Sequence, residues 1–352
     1  MDEVGFLETL LSIPSPTGQE EAVATYLVEQ MARLGFETRR DEAGNAVGTI
    51  GNRQAGREIV LLGHMDTVPG EVPVRREGGR LHGRGAVDAK GPLAAFVLAA
   101  ARAAEKLDSA RVTVIGAVEE EGDARGARHL AQTMPPPWCA IIGEPSGWEG
   151  ITLGYKGVLS LEYRLAQPAG HSAGREPTAA ERAVGFWNRL AQHTETVNEG
   201  ESGRFHTLDP ALRAFNTSSD GLNDGVTMQI TTRIPPGVDI ADLRERLDGW
   251  RDGAELRFSA SDPPIRSEKN TPPVRALLRS IRAGGGKPRF KLKTGTSDMN
   301  VVSPAWRCPI VAYGPGDSSL DHTPREFIEI EEYQRAIEVL ARALESLAEV
   351  GG

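Results

Sequence analysis

Three short stretches of this chain carry side chains suited to holding metal ions: His64-Met65-Asp66, Asp88 within Gly83-Arg-Gly-Ala-Val-Asp-Ala-Lys-Gly91, and Glu119-Glu120-Glu121-Gly122. His64 and Asp66 follow an apolar run, and on an extended backbone the i and i+2 side chains share a face. A metal-bound imidazole needs its second ring nitrogen held by an acceptor, and Asp66 is placed to be that acceptor. The glycines around Asp88 let the backbone turn tightly and approach a ligand, and one carboxylate in such a turn suits a bridge between two ions. Three consecutive acids repel one another unless cations absorb their charge. Glu144 in Gly143-Glu-Pro-Ser146 and His322 in Asp321-His-Thr-Pro324 add one more acid and one more imidazole. Imidazole and carboxylate without thiolate suit zinc, cobalt or manganese. Cys139 and Cys308 are far apart with no CxxC spacing, so they read as core thiols.

The elements that must position these residues alternate between strand and helix, the pattern of an α/β layer protein. Glu58 to Leu62, Arg111 to Val118 and Cys139 to Gly143 read as buried strands, and Leu93 to Leu107 as an alanine-rich helix. The polar clusters at His64, Glu119 and Glu144 then fall at strand ends, where open α/β sheets place their ligands. Thr17-Gly-Gln-Glu20 has capping-box spacing ahead of a helix through Met31, and Thr178-Ala-Ala-Glu181 repeats it. After Gly154 the texture changes. Val158 to Leu165, Val226 to Ile234 and Ala254 to Ala260 read as half-exposed strands and Asp239 to Trp250 as a helix, which together predict a β-α-β-β-α-β-like insert. The stretch from Ser261 to Pro273 reads as a linker back; Val274 to Ala283, Pro309 to Tyr313 and Glu331 to Ala348 complete the first domain. The expected division is residues 1–155 with 268–352 as a catalytic domain and 156–267 as an insert.

At 352 residues, with 39% hydrophobic and 25% charged residues, the chain is long enough for two domains and has the composition of a folded globular protein. A net charge of −9 argues against general nucleic-acid binding, which needs a basic footprint. The longest apolar stretch, Pro92 to Ala101, is too short to span a bilayer. The start, MDEVGFLETL, is acidic where a secretory signal is basic, so a cytoplasmic address and no membrane partner are expected.

Taken in chain order, HxD, GRGxxDxKG, EEEG, GEP and DHT form a series that resembles the M20 family of dinuclear zinc peptidases and deacylases over nearly the whole chain. The resemblance implies a mixed-sheet α/β zinc-peptidase catalytic domain with an inserted α+β dimerisation, or lid, domain. It implies two zinc ions per subunit, with cobalt able to substitute: one held by His64 and Glu144, the other by Glu121 and His322, and both bridged by Asp88. It makes Glu120 the general base, because Gly122 sets the register of the family's Glu-Glu-Gly, and leaves Glu119 as a spare; a one-residue slip exchanges these roles. It further implies a homodimer in which His171, in Gly170-His-Ser-Ala-Gly174, reaches a neighbour's site as an oxyanion donor.

The stretches Gly143 to Gly157, Phe290 to Asn300 and Ala312 to Pro324 look like the branch that releases lysine from an amino-group carrier protein in lysine or arginine synthesis. In that branch Arg233 and the Gly295-Thr296-Ser297 turn would contact the substrate carboxylate. Arg275, Arg279, Arg282, Lys287, Arg289, Lys291 and Lys293 occur in a run without an acid, onto which an acidic carrier can be steered; a solvated basic face is the alternative. Deacetylation of acetyl-ornithine or acetyl-lysine, and desuccinylation of succinyl-diaminopimelate, are the competing chemistries. A more distant one treats Gly170-His-Ser-Ala-Gly174 as a GxSxG elbow with Ser172 as nucleophile; Pro168 before it and Pro177 after it argue against that. The histidines at 82, 129, 193 and 206 and the tryptophans at 138, 187, 250 and 306 read as packing residues.

Overall fold

In the computed structural model, residues 2–171, 173–174 and 176–349 are described. The chain divides into two compact units. The first comprises Met1–Gly154, Ser267–Leu292 and Ser297–Gly352; the second comprises Tyr155–Arg266 and Lys293–Thr296.

The first unit is built on a mixed sheet whose strands run in the order Glu37–Arg40, Ala46–Gly51, Arg111–Ala117, Glu58–His64, Cys139–Ile142, Ile310–Ala312 and Gly150–Tyr155. Glu58–His64 is parallel to both of its neighbours, and Ile310–Ala312 is parallel to Cys139–Ile142. The middle strands are apolar along their whole length because helices close both faces. Ile59, Val60, Leu61 and Leu62 are each fully buried. The alanine-rich helix runs from Lys90 to Ala103 and packs against the helix Ile330–Glu349. Its small side chains let it sit close to the sheet: nearly every residue is buried, and Leu93 lies against Gly63 and Gly116.

The second unit is a four-stranded antiparallel sheet in the order Asp209–Ser219, Asn223–Ile234, Gly157–Pro168 and Glu255–Asp262. The helices Ala179–Val197 and Ile240–Trp250 follow the first strand and the third strand in sequence, a β-α-β-β-α-β order. Leu159, Leu161, Tyr163 and Leu165 alternate with more exposed residues and meet Phe186, Leu190, Leu243 and Leu247 of the helices. Burying each such side chain contributes roughly 1.5–3 kcal/mol. The strand Asp209–Ser219, whose polar sequence carries little periodic signal, is an exposed edge.

One capping box forms as expected and one does not. Thr178 accepts from the Glu181 amide, and the Glu181 side chain returns the bond to the Thr178 amide. The helix Glu21–Arg33 starts with no side-chain cap. Thr17 instead donates to Asp66 Oδ2 at 3.0 Å, and Glu20 Oε1 accepts from the amides of Gly18 and Glu119. Both side chains of that pair are therefore spent on the loops around the site. The linker expected from Ser261 is also shorter, because Ser261 and Asp262 finish the strand Glu255–Asp262.

Among the described residues, no helix is long and apolar enough to cross a membrane. Cys139 is buried and Cys308 half-buried, neither in a disulfide.

Candidate metal centre

The parallel strands Glu58–His64, Arg111–Ala117 and Cys139–Ile142 end at one edge of the sheet, so His64, the acids after Val118 and Glu144 leave the backbone at one level. The Asp88 turn precedes the helix Lys90–Ala103 and brings its carboxylate to the same place. Gly85 has φ +86°, and a Cβ there would meet Thr67 Cγ2 at 2.9 Å, so the turn needs glycine. The peptide bond between Asp88 and Ala89 is cis.

Asp88 occupies the middle of the cluster. His64 Nε2 lies 3.2 Å from Asp88 Oδ1, and His322 Nε2 lies 3.1 Å from the other oxygen, Oδ2. His322 Nε2 is also 2.8 Å from Glu121 Oε1, and His64 Nε2 is 3.9 Å from Glu120 Oε2. One ligand atom from each of His64, Asp88 and Glu121 falls within 4.8 Å of the others. Glu144 is buried and close enough to Glu120 for its charge to be felt there.

The supporting bonds explain why these atoms stay together. Asp66, fully buried, lies 3.3 Å from His64 Nδ1. Its two oxygens also accept from the backbone amides of Glu120 at 3.0 Å and Glu121 at 3.1 Å. One carboxylate thereby orients the imidazole and fixes the acidic turn. Glu119 leaves the cluster for an ion pair with Arg125 at 2.9 Å.

Burial disfavours the charged form of each acid here, and the neighbours decide the outcome. Burial pushes the Glu120 carboxyl well above its ordinary range, and Glu144, Asp298 and Glu121 add to the shift against the opposing pull of His64. Burial likewise raises Glu121, with Asp88 reinforcing it. Burial also acts to raise Asp88, but hydrogen bonds from His322 and His64 outweigh it and hold the group below the usual carboxylate range. The hydrogen bond to Asp88 raises His322 to about 9. Two carboxyls that burial makes costly to ionise, beside imidazoles that hold extra protons, make up a donor set that a cation would stabilise. Oxygen and imidazole donors at these separations fit divalent ions of the zinc and cobalt type.

In the second unit, Arg233 donates to Thr296 Oγ1 at 3.1 Å. Burial, together with the field of Arg213, lowers the Arg233 pKa. Gly295 lies in the same short segment. Ser297 belongs to the first unit, where it caps the helix Asp298–Trp306 in a capping box with Asn300. His171 is exposed, with Nδ1 accepting from the Ala173 amide at 3.1 Å. Ser172 lies outside the described residues. The strand before it ends at Pro168 and the next helix starts only at Ala179, which is not the strand-serine-helix order an elbow needs.

Residues that motif spacing did not single out also serve the cluster. Thr17 and Glu20 hold the acidic turn. Lys90, fully buried, donates to the carbonyls of Leu10 at 3.2 Å and Ile13 at 2.7 Å, anchoring the end of the first helix. Arg84 and Glu326 join the Asp88 turn to the segment after His322. Lys90 adjoins Asp88 in the GRGxxDxKG stretch and was visible there; Glu326 gives no periodic signal.

The sequence pattern of peptidase family M20/M25/M40 matches residues 60–346. A protein named LysW-lysine hydrolase from Deinococcus radiodurans is 44% identical over 350 residues, covering 97% of this chain and 95% of that one. A LysW-lysine/LysW-ornithine hydrolase from Sulfurisphaera tokodaii is 30% identical, covering 96% and 93%. The crystal structure of an M20 family metallo-carboxypeptidase from Sulfolobus solfataricus superimposes with a TM-score of 0.79 at 20% identity, covering 99% of each chain, which shows a shared fold.

Proposed function

The chain belongs to the peptidase family M20/M25/M40 and is a hydrolase; from that premise we propose that it cleaves the amide joining lysine, or ornithine, to the terminal glutamate side chain of an amino-group carrier protein. The observation that carries the reading is the Asp88 carboxylate, with His64 on one oxygen, His322 on the other, and Glu120 and Glu121 alongside.

In this reading His64 and Glu144 would hold one ion, Glu121 and His322 the other, and Asp88 would serve both; zinc is the expected metal and cobalt a substitute. When bound, such a pair supplies Lewis acidity toward the amide carbonyl and acidifies a water. Glu120, kept basic enough by its buried acidic surroundings, takes the proton of the attacking water and passes it to the departing α-amine. Asp66 holds His64 in the tautomer that leaves Nε2 free for the cluster. Arg233 and the Gly295-Thr296-Ser297 turn receive the substrate carboxylate. His171 donates to the developing oxyanion in the site of a second copy.

The homodimer this requires is supported by the second unit's edge strand, Asp209–Ser219, where Leu212 and Phe215 are exposed, with Leu222 exposed just beyond it. Carrier docking is supported by the basic run. Arg275, Arg279 and Arg282 lie on the helix Pro272–Ala283; Arg289 and Lys291 lie on the strand Arg289–Lys293, where Phe290 and Leu292 are also exposed. A run of basic residues with no acid among them suits an acidic protein. The expected location is the cytoplasm.

The test presents purified enzyme with lysine-loaded carrier and with acetyl-lysine side by side. A specificity constant that clearly favours the carrier is expected, and charge reversal at Lys287 and Lys291 should raise KM for the carrier and flatten its salt dependence. Equal constants for the two substrates would move the reading to a free N-acyl amino-acid deacylase.

A further inference from the structure

Glu326 is fully buried, and its carboxylate is directed at the turn that carries Asp88. Oε1 accepts from the backbone amides of Val87 at 2.9 Å and Asp88 at 3.1 Å. Oε2 accepts from Arg84 Nη1 at 2.8 Å. Arg84 in turn donates to the carbonyl of Thr323, the residue after His322, at 3.2 Å, and to the carbonyl of Gly70 at 2.9 Å. The Gly83 amide completes the set by donating to the Glu326 carbonyl. Two loops distant in sequence, 83–88 and 322–326, are therefore joined by a network in which every bond ends on a backbone group or on the Arg84–Glu326 pair.

The loop that needs this support is the one carrying His322. Its side chain is 50% exposed, so burial does not hold it, and its backbone sits at φ +60°, a conformation that costs a non-glycine residue free energy. The surrounding bonds must over-determine such a residue if it is to stay in place. We propose that Glu326, with Arg84 as its counter-charge, is a positioning residue that sets the separation of Asp88 and His322 and so the affinity of the ion they share. This rests on the dinuclear reading above and goes beyond it, because neither residue is a ligand. An ion spanning two loops binds only as tightly as the loops are held apart by the right distance; with the strap gone, binding must order the His322 loop as well.

The test measures divalent metal stoichiometry and chelator-competed zinc affinity of the full chain for the parent, Glu326→Ala, Glu326→Gln and Leu344→Ala. Leu344 is buried in the core, has no part in the Arg84–Glu326 network, and reports what general destabilisation does. Glu326→Ala is expected to hold the ion shared by Asp88 and His322 about 10- to 100-fold more weakly, and to lose less at the other, whose further holders His64 and Glu144 the strap does not touch. Glu326→Gln keeps an acceptor for the two amides but loses the charged link to Arg84, and should fall between. Leu344→Ala should lose thermal stability and keep both ions. Parental affinity for both ions in a folded Glu326→Ala overturns the proposal, as does parental affinity in Glu326→Gln should the alanine variant not fold. Equal weakening in Leu344→Ala overturns it too, by reducing the effect to stability. A parent chain that binds no divalent ion would overturn the dinuclear reading itself, which separates the two failures.

Discussion

His64 and His322 face the same carboxylate from two different kinds of backbone. His64 ends a strand flanked by parallel neighbours on both sides, its side chain is 1% exposed, and buried Asp66 orients its ring. His322 stands on a turn with positive φ, half exposed, reached by a strap of polar bonds from the Asp88 side. One imidazole is placed by the sheet, the other by a network that can be cut without touching the sheet. The two halves of the cluster should therefore respond differently to the same disturbance.

The largest effect is expected on the sheet side. Glu120→Gln should lower kcat by about 10²- to 10⁴-fold with both ions retained, whereas Glu121→Gln should lose metal as well; the reverse, read by metal analysis beside kinetics, would move the base to the other acid. Next comes stability without metal. His64→Ala leaves buried Asp66 and Asp88 short of a partner and should cost about 3 kcal/mol, while His322→Ala removes a half-exposed pair and should cost less than about 1 kcal/mol. Urea unfolding in the presence of a chelator measures both, and equal losses would erase the distinction between the two sides. Asp66→Asn removes the orienting charge and should weaken metal binding or activity by about 10- to 100-fold.

The effect of pH is of another kind. The hydrogen bond to Asp88 raises His322 to about 9, so in the metal-free protein this imidazole stays protonated well past its ordinary value. Its contribution to stability is full below about pH 6.5 and is lost as pH rises through 9. A metal ion held by His322 would have to expel that proton, so its affinity should climb about tenfold per pH unit for this proton, levelling near pH 9 instead of near 6.5. Titration calorimetry in buffers of different ionisation heat counts the protons released. The smallest effect belongs to Glu119→Gln. Its carboxylate is occupied by Arg125 outside the cluster, so turnover should change by less than about threefold, near the value of an exposed ion pair.

The sheet side was the legible side. Apolar runs ending at His64, Glu119 and Glu144 signal buried strands with polar ends, and the glycines around Asp88 signal a tight turn. The strap was not legible, because Glu326 acts on backbone amides some 240 residues away in sequence, |i−j| 239 and 238, and no local pattern marks such a bond. Thr17 and Glu20 show the complementary error. Their spacing matches a capping box, yet tertiary acceptors and donors at Asp66 and Glu119 outbid the helix end. The strand Asp209–Ser219 escaped for a third reason: an exposed edge has no buried face to impose alternation.

The short strand Ile310–Ala312 lies inside the sheet, between Cys139–Ile142 and Gly150–Tyr155. During synthesis on the ribosome, the segment ending at residue 312 emerges long after both of its neighbours. The nascent sheet must wait with an open seam until then, and the turn bearing Asp88 acquires its Glu326 partner later still. A polypeptide interrupted before that point would leave Cys139–Ile142 and Gly150–Tyr155, both buried along their length in the finished chain, without the strand between them, so quality control can recognise an unfinished chain by its unfilled gap.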